Sequence, residues 1–160
     1  MEDGDKRGER ALRAYTGLTR AAEAVTGLLE MQLGPMKLTL SQGRVLGALT
    51  KFGPMSHLDL ARKILRSKGA VAFVVKDLER RRLVVSRTDK RDRRKQTVRM
   101  TLLGAKVAGE IIPRHERLIR AQMASLGGRE QETLARLCEK LIGGNSARFA
   151  GEMVRTELTW

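Results

Sequence analysis

The hydrophobic period of this chain changes after Leu83, and that change narrows the fold more than any other feature. Before it, two apolar stripes follow each other closely: Leu58, Ala61, Ile64 and Leu65, then Val71, Val74, Val75 and Leu78. Both recur at the one-, three- and four-residue steps of a helix face. Ser56-His57-Leu58-Asp59 has the form of a capping box, in which the serine oxygen accepts from the Asp59 amide and the carboxylate reaches back to the Ser56 amide. Ser67 offers a second cap. Two helices this close must turn sharply. After Leu83 come two β-branched runs, Val84 to Thr88 and Gln96 to Met100, the second with Val98, Met100 and Leu102 alternating with polar neighbours. They read as a two-stranded hairpin with residues 89–95 at its tip. An isolated hairpin is marginal, so it must rest on the helices.

Helix, tight turn, helix and hairpin in this order make a winged helix-turn-helix, whose second helix offers its N-terminal residues to base edges in the major groove of DNA. Charge agrees with that placement. Between residues 62 and 99 the chain carries fifteen Lys and Arg against four acids, which puts +11 of its formal +14 in about a quarter of its length. A polyanion would meet a concentrated field there. A sequence pI near 11.0 favours anionic partners. Nucleic acid is preferred to a membrane surface, because no apolar run approaches the roughly 20 residues of a spanning helix and the N-terminus lacks a signal-peptide core. A soluble, cytoplasmic protein is expected.

The 160 residues suit one integrated domain with a sizeable core. Aromatic content is only 3%, so aliphatic helix packing must supply most of that core. Residues 1–9 are charged and expected to fray. Residues 10–53 read as N-terminal helices for dimerisation and support. In the first, Leu12, Tyr15, Leu18, Ala22, Val25, Leu29 and Leu33 line one side; Gly34-Pro35 ends it, and Thr39 or Ser41 caps the next. The reading head spans 54–102. Residues 103–144 carry two further helices: one capped by Thr101 and kinked or restarted at Pro113, the other with Leu134, Leu137, Cys138 and Leu141 on one face and a stop at Gly143-Gly144. The tail, 145–160, is either a docked helix or a mobile end. The fold class is therefore mainly α, with a small β-hairpin wing and terminal helices that form a dimerisation region.

This order of elements resembles the MarR family of bacterial transcriptional regulators over about residues 12–142. Leu38-Thr39-Leu40-Ser41-Gln42 with Val45-Leu46 looks like that family's helix before the reading head. Ser67-Lys68-Gly69 and Val74-Val75-Lys76-Asp77-Leu78-Glu79-Arg80-Arg81 are similar to its recognition helix. Asp89-Lys90-Arg91-Asp92-Arg93-Arg94, with Met100-Thr101-Leu102 and Gly104, resembles its wing and the start of the next helix. An aspartate two residues before an arginine at a turn holds the guanidinium and points it into a minor groove, which gives the spacing of Asp92 and Arg94 a mechanical reason.

The resemblance implies a homodimer that reads a pseudo-palindromic operator in double-stranded DNA, and a small anionic or phenolic ligand that releases it. Candidate DNA-binding residues are Ser67, Lys68, Gly69, Ala70, Ala72, Phe73, Lys76, Arg87, Arg91, Asp92, Arg93, Arg94 and Lys95. Candidate dimerisation residues are Leu12, Tyr15, Leu18, Val25, Leu134, Leu137, Cys138 and Leu141. The chain departs from the family pattern where Ala70 and Ala72 replace polar groups on the recognition helix, which leaves methyl contacts to thymine. Arg82 also stands where a helix-ending glycine is usual.

Other readings are narrower. Phe73 lies off the apolar stripe, and either packs on the first helix of the motif or meets sugar and thymine methyl groups, with packing preferred. His57 reads as an exposed polar residue, His115 as a polar position of the dimer region, and Cys138 as a small hydrophobe. No Gly-rich phosphate loop, nucleophile with a base at a recognisable spacing, or metal cluster appears, so neither an enzyme nor a cofactor is expected. The alternative to a sequence-specific regulator is a sequence-independent architectural DNA-binding protein.

Overall fold

The computed structural model of the protein describes the backbone of residues 2–88 and 96–149 and the side chains of residues 6–88 and 96–145. The chain divides after Leu40 into two units. In the first, helix α1 (Glu2–Leu33) leads into a 3-10 turn, Gly34–Met36. The backbone is helical from Glu2, well ahead of the expected boundary near residue 10. Of the predicted stripe, Leu29 and Leu33 are buried, whereas Leu12 and Tyr15 are 68% and 66% exposed.

The second unit contains α2 (Leu40–Phe52), β1 (Met55–Ser56), α3 (His57–Ile64), α4 (Lys68–Arg80), β2 (Val84–Thr88), β3 (Gln96–Met100), α5 (Leu102–Met123) and α6 (Gly128–Phe149). The expected two-stranded hairpin is part of a three-stranded antiparallel sheet of order β1-β3-β2. Strand β1 is unexpected, since two residues carry no alternation. It pairs Met55 with Val98 and Ser56 with Thr97, so the wing is held by the chain entering α3 as well as by its own partner strand.

Buried aliphatic side chains come from each layer of this unit: Val45, Leu46 and Leu49 of α2, Leu60 and Ile64 of α3, Val71, Val75 and Leu78 of α4, and Val84 and Val98 of the sheet. Removing a side chain of this size from water contributes about 2 kcal/mol. In α3 the buried set is Leu60, Ala61 and Ile64, while Leu65, expected inside, is exposed. Leu65 ends α3 in the left-handed region at φ 53°, which swings its side chain off the helical face.

Arg82 ends α4 in the same way, at φ 59°. The Leu83 amide donates to the Leu78 carbonyl at 2.9 Å and the Arg82 amide to Glu79 at 2.8 Å. That bond pair is the glycine-type helix stop, made here without glycine. Leu78 and Leu83 are both buried on either side of it.

Neither a restart at Pro113 nor the expected stop at Gly143-Gly144 is present. Helix α5 runs unbroken through Pro113. The carbonyl that loses its partner belongs to Gly109, and both residues lie on the exposed side, where water replaces the bond. Helix α6 likewise continues past Gly143-Gly144 to Phe149. Residues 150–160, most of the tail, lie outside the described residues. Among the described residues no helix is long and apolar enough to cross a membrane.

The entry to α5 is the tightest junction. Thr101 caps the helix, its hydroxyl accepting from the Gly104 amide at 3.0 Å and donating to the Arg82 carbonyl at 2.6 Å. The Thr101 amide donates to the Leu83 carbonyl at 3.1 Å. A Cβ on Gly104 would stand 1.9 Å from that same carbonyl oxygen. Gly104→Ala is therefore expected to destabilise the fold by about 3 kcal/mol, as overpacking against backbone does. Urea unfolding of the variant checks this.

Candidate nucleic-acid interface

The candidate reading surface starts from α4. Ser67 precedes it with extended backbone, and its Oγ accepts from the Ala70 amide at 3.2 Å. A hydroxyl that accepts in this way still has a proton to donate. Val71, Val75 and Leu78 face inward. Lys68, Gly69, Ala70, Ala72, Phe73 and Lys76 are all exposed. Phe73 is 72% exposed, which corrects the preference for packing on α3. Helical geometry gives the reason: the buried stripe occupies positions 71, 75 and 78, and residue 73 points about 160° away from the mid-line of that stripe.

The helix is pinned from two sides. Gln42 of α2, the one buried polar residue among the described residues, donates to one carboxylate oxygen of Asp77, and Arg80 pairs with the other. Glu79 accepts from the backbone amide of Ser86 in β2 at 2.8 Å. A helix held at Asp77 and Glu79 presents its opposite face in a fixed orientation.

The sheet adds a second charged surface. The register Val85↔Arg99 and Arg87↔Thr97 puts these four residues on one face, with Arg87 and Arg99 both exposed. Arg87 is a candidate from the sequence and Arg99 is not, although its alternation with buried Val98 is a signal that points to it. The wing candidates Arg91, Asp92, Arg93, Arg94 and Lys95 lie outside the described residues.

Between α3, α4 and β3 lies a concavity of about 820 Å³, bordered by Ser56, His57, Asp59, Lys68, Ala72, Gln96 and Thr97. The first turns of the reading helix and the root of the wing therefore face one space. At its edge the Ser56 hydroxyl accepts from the Asp59 amide at 3.1 Å and donates to the Asp59 carboxylate at 2.6 Å. The expected serine cap is present, and the carboxylate is held by the serine hydroxyl where the expected box has it held by the Ser56 amide.

His57, expected to be exposed, is half-buried here. Burial lowers its pKa below the usual imidazole value; Glu79 opposes that shift and Lys68 adds to it. His115 on α5 is also half-buried, and its pKa is lowered by burial and then by the Arg44 guanidinium on α2. On the apolar face of α6, Cys138 is half-buried, whereas Leu134, Leu137 and Leu141 are 41%, 51% and 49% exposed. Among the described residues no group of three or more His, Cys, Asp or Glu side chains could hold a metal ion.

Comparison with known proteins agrees with this geometry. The family model described as MarR family matches residues 37–95. The transcriptional repressor NicR of Pseudomonas putida is 30% identical over 125 residues, which cover 78% of this chain and 79% of NicR. BpsR of Bordetella bronchiseptica, a protein whose DNA binding is regulated by 6-hydroxynicotinic acid, is 26% identical. Its structure superposes with a TM-score of 0.73, covering 81% of this chain and 98% of BpsR. A cysteine-to-serine mutant of MarR from E. coli, solved with operator DNA, shares the fold at TM-score 0.74 and 20% identity, covering 82% of this chain and 95% of that one.

The two histidines set a pH dependence. Both have folded-state values below the unfolded value of 6.5, so the unfolded chain binds more protons between those values. Stability is then full above about pH 6.5 and declines as pH falls through the lowered folded values. Thermal unfolding followed by circular dichroism should give a Tm that falls on acidification from pH 7.5 to 5, and less steeply in His115→Asn and His57→Asn.

Proposed function

The chain belongs to the MarR family of transcriptional regulators, and from that premise we propose that it is a homodimeric repressor which reads a pseudo-palindromic operator and is released by a small ligand. The observation that carries this reading is the outward face of α4, which exposes Lys68, Lys76 and Arg80 on a helix anchored through Asp77 and Glu79. In this reading α4 enters the major groove with residues Lys68 to Lys76. Ser67, Arg87 and Lys95 contact phosphates, and the wing carries Arg94 into the minor groove with Asp92 as its support. Arg91 and Arg93 add to the field around it.

The exposed apolar side chains of α1 (Leu12, Tyr15, Leu18) and of α6 (Leu134, Leu137, Leu141) favour self-association, since each row leaves aliphatic surface in water. Val25 and Cys138 extend the two rows. Two heads related by a twofold axis then meet half-sites one helical turn apart. A regulator that acts on chromosomal DNA works in the cytoplasm. The likeness to BpsR makes 6-hydroxynicotinic acid the first ligand to test.

Fluorescence-polarisation titrations on operator and random duplexes at one salt concentration test the reading. Operator affinity about 10³-fold or more above random is expected, and a ratio near one would instead support the architectural alternative. Arg87→Ala and Arg94→Ala should each weaken binding and lower the slope of log affinity against log salt by about 1. Leu137→Asp should shift the protein to monomers in sedimentation equilibrium and cost operator affinity.

A further inference from the structure

We infer that the major-groove face of α4 recognises thymine by its 5-methyl group, with Phe73 as the anchor. The inference rests on the DNA-binding reading above and adds to it the chemistry of recognition.

Between Lys68 and Lys76 the helix reads Gly-Ala-Val-Ala-Phe-Val-Val, with no side-chain donor or acceptor. Bidentate hydrogen bonding to a guanine or adenine edge from this stretch is therefore excluded. Gly69, Ala72, Phe73 and Lys76 stand three and four residues apart on one exposed face, with Ala70 one turn before Phe73. A phenyl ring pointing back over the preceding turn covers Gly69 and Ala70. Neither carries a side chain large enough to hold the ring away from a surface that approaches α4.

An aromatic ring 72% exposed is unusual on a helix whose ends carry Lys68, Lys76 and Arg80. Those cations fit a polyanionic partner rather than an apolar one. On a base-pair edge in the major groove, the apolar group available to such a ring is the thymine methyl. Burying one methyl group amounts to about a four-fold gain in affinity. The preference is for the methyl rather than for the base pair as a whole, so 5-methylcytosine at the same position should substitute for thymine and unmodified cytosine should not.

The test begins with duplexes selected from a random pool by the full-length protein. Each thymine of a selected duplex is replaced singly by deoxyuridine, and affinity is measured by fluorescence polarisation at fixed salt. One or two thymines in each half-site should lose about four-fold in affinity. That loss should persist in Phe73→Leu and vanish in Phe73→Ala, and both variants should keep the wild-type Tm because the side chain is exposed. At the sensitive positions 5-methylcytosine should bind more tightly than cytosine. A selected duplex that tolerates every deoxyuridine overturns the inference and leaves the regulator reading standing, as does an equal loss in wild type and Phe73→Ala. Failure to select any sequence overturns the regulator reading itself, and this inference with it.

Discussion

The Leu83 carbonyl is where the reading head closes on itself. It ends the turn after α4, starts β2 one residue later, accepts from the Thr101 amide, and presses against Gly104 so closely that no side chain fits between them. Three elements meet at that oxygen: the end of α4, strand β2 and the first turn of α5. Glycine is required at 104 by contact rather than by torsion, since the position is helical. The hydroxyl of Thr101 completes the joint by capping α5 and binding the Arg82 carbonyl at once. A shift of α4 against β2 and α5 would break several of these bonds together, so they hold the three elements in one arrangement.

Depth of burial divides the polar interactions into two kinds. Buried Gln42 joins α2 to half-buried Asp77 of α4 at the edge of the core, where leaving the glutamine unmatched costs about 1 kcal/mol or more. The pairs Arg62–Asp59 and Arg120–Glu116 lie in solvent and contribute little. Stability of the head therefore comes from aliphatic packing and a few buried hydrogen bonds, and the exposed cations are left to act on a partner.

Much of this was legible in the sequence. The caps at Ser56, Ser67 and Thr101 are chemical signatures, and each is found where its spacing predicts. The stripe that becomes the buried face of α4 follows from helical repeat alone. What was illegible has physical causes. Strand β1 has two residues and so no period to read. Pro113 and the glycine pair at 143–144 are strong breakers in isolation, yet a continuing helix tolerates them where the affected backbone faces water. Phe73 was assigned to packing on hydrophobicity, although its angular offset from Val71, Val75 and Leu78 already pointed outward. His57 and Arg99 gained their importance from the sheet, which brings Thr97 beside the start of α3 and sets Arg99 opposite Val85.

Arg82 shows how electrostatics and backbone geometry are balanced in this head. A non-glycine residue in the left-handed region costs roughly 1–2 kcal/mol, and glycine in its place would cost about 0.5–1 in chain entropy. The position follows Arg80 and Arg81 at the C-terminus of α4, where the helix dipole is negative and favours a cation by about 0.3–1 kcal/mol. The entropy saved and the dipole interaction together offset most of the strain. Positive charge at this end of the reading helix is thus stabilised partly by backbone carbonyls rather than wholly by acidic side chains. Carboxylates there would cancel the field that attracts phosphate, whereas a helix terminus leaves most of it intact. A glycine stop would remove the torsional strain, but arginine keeps one more cation at this end of α4.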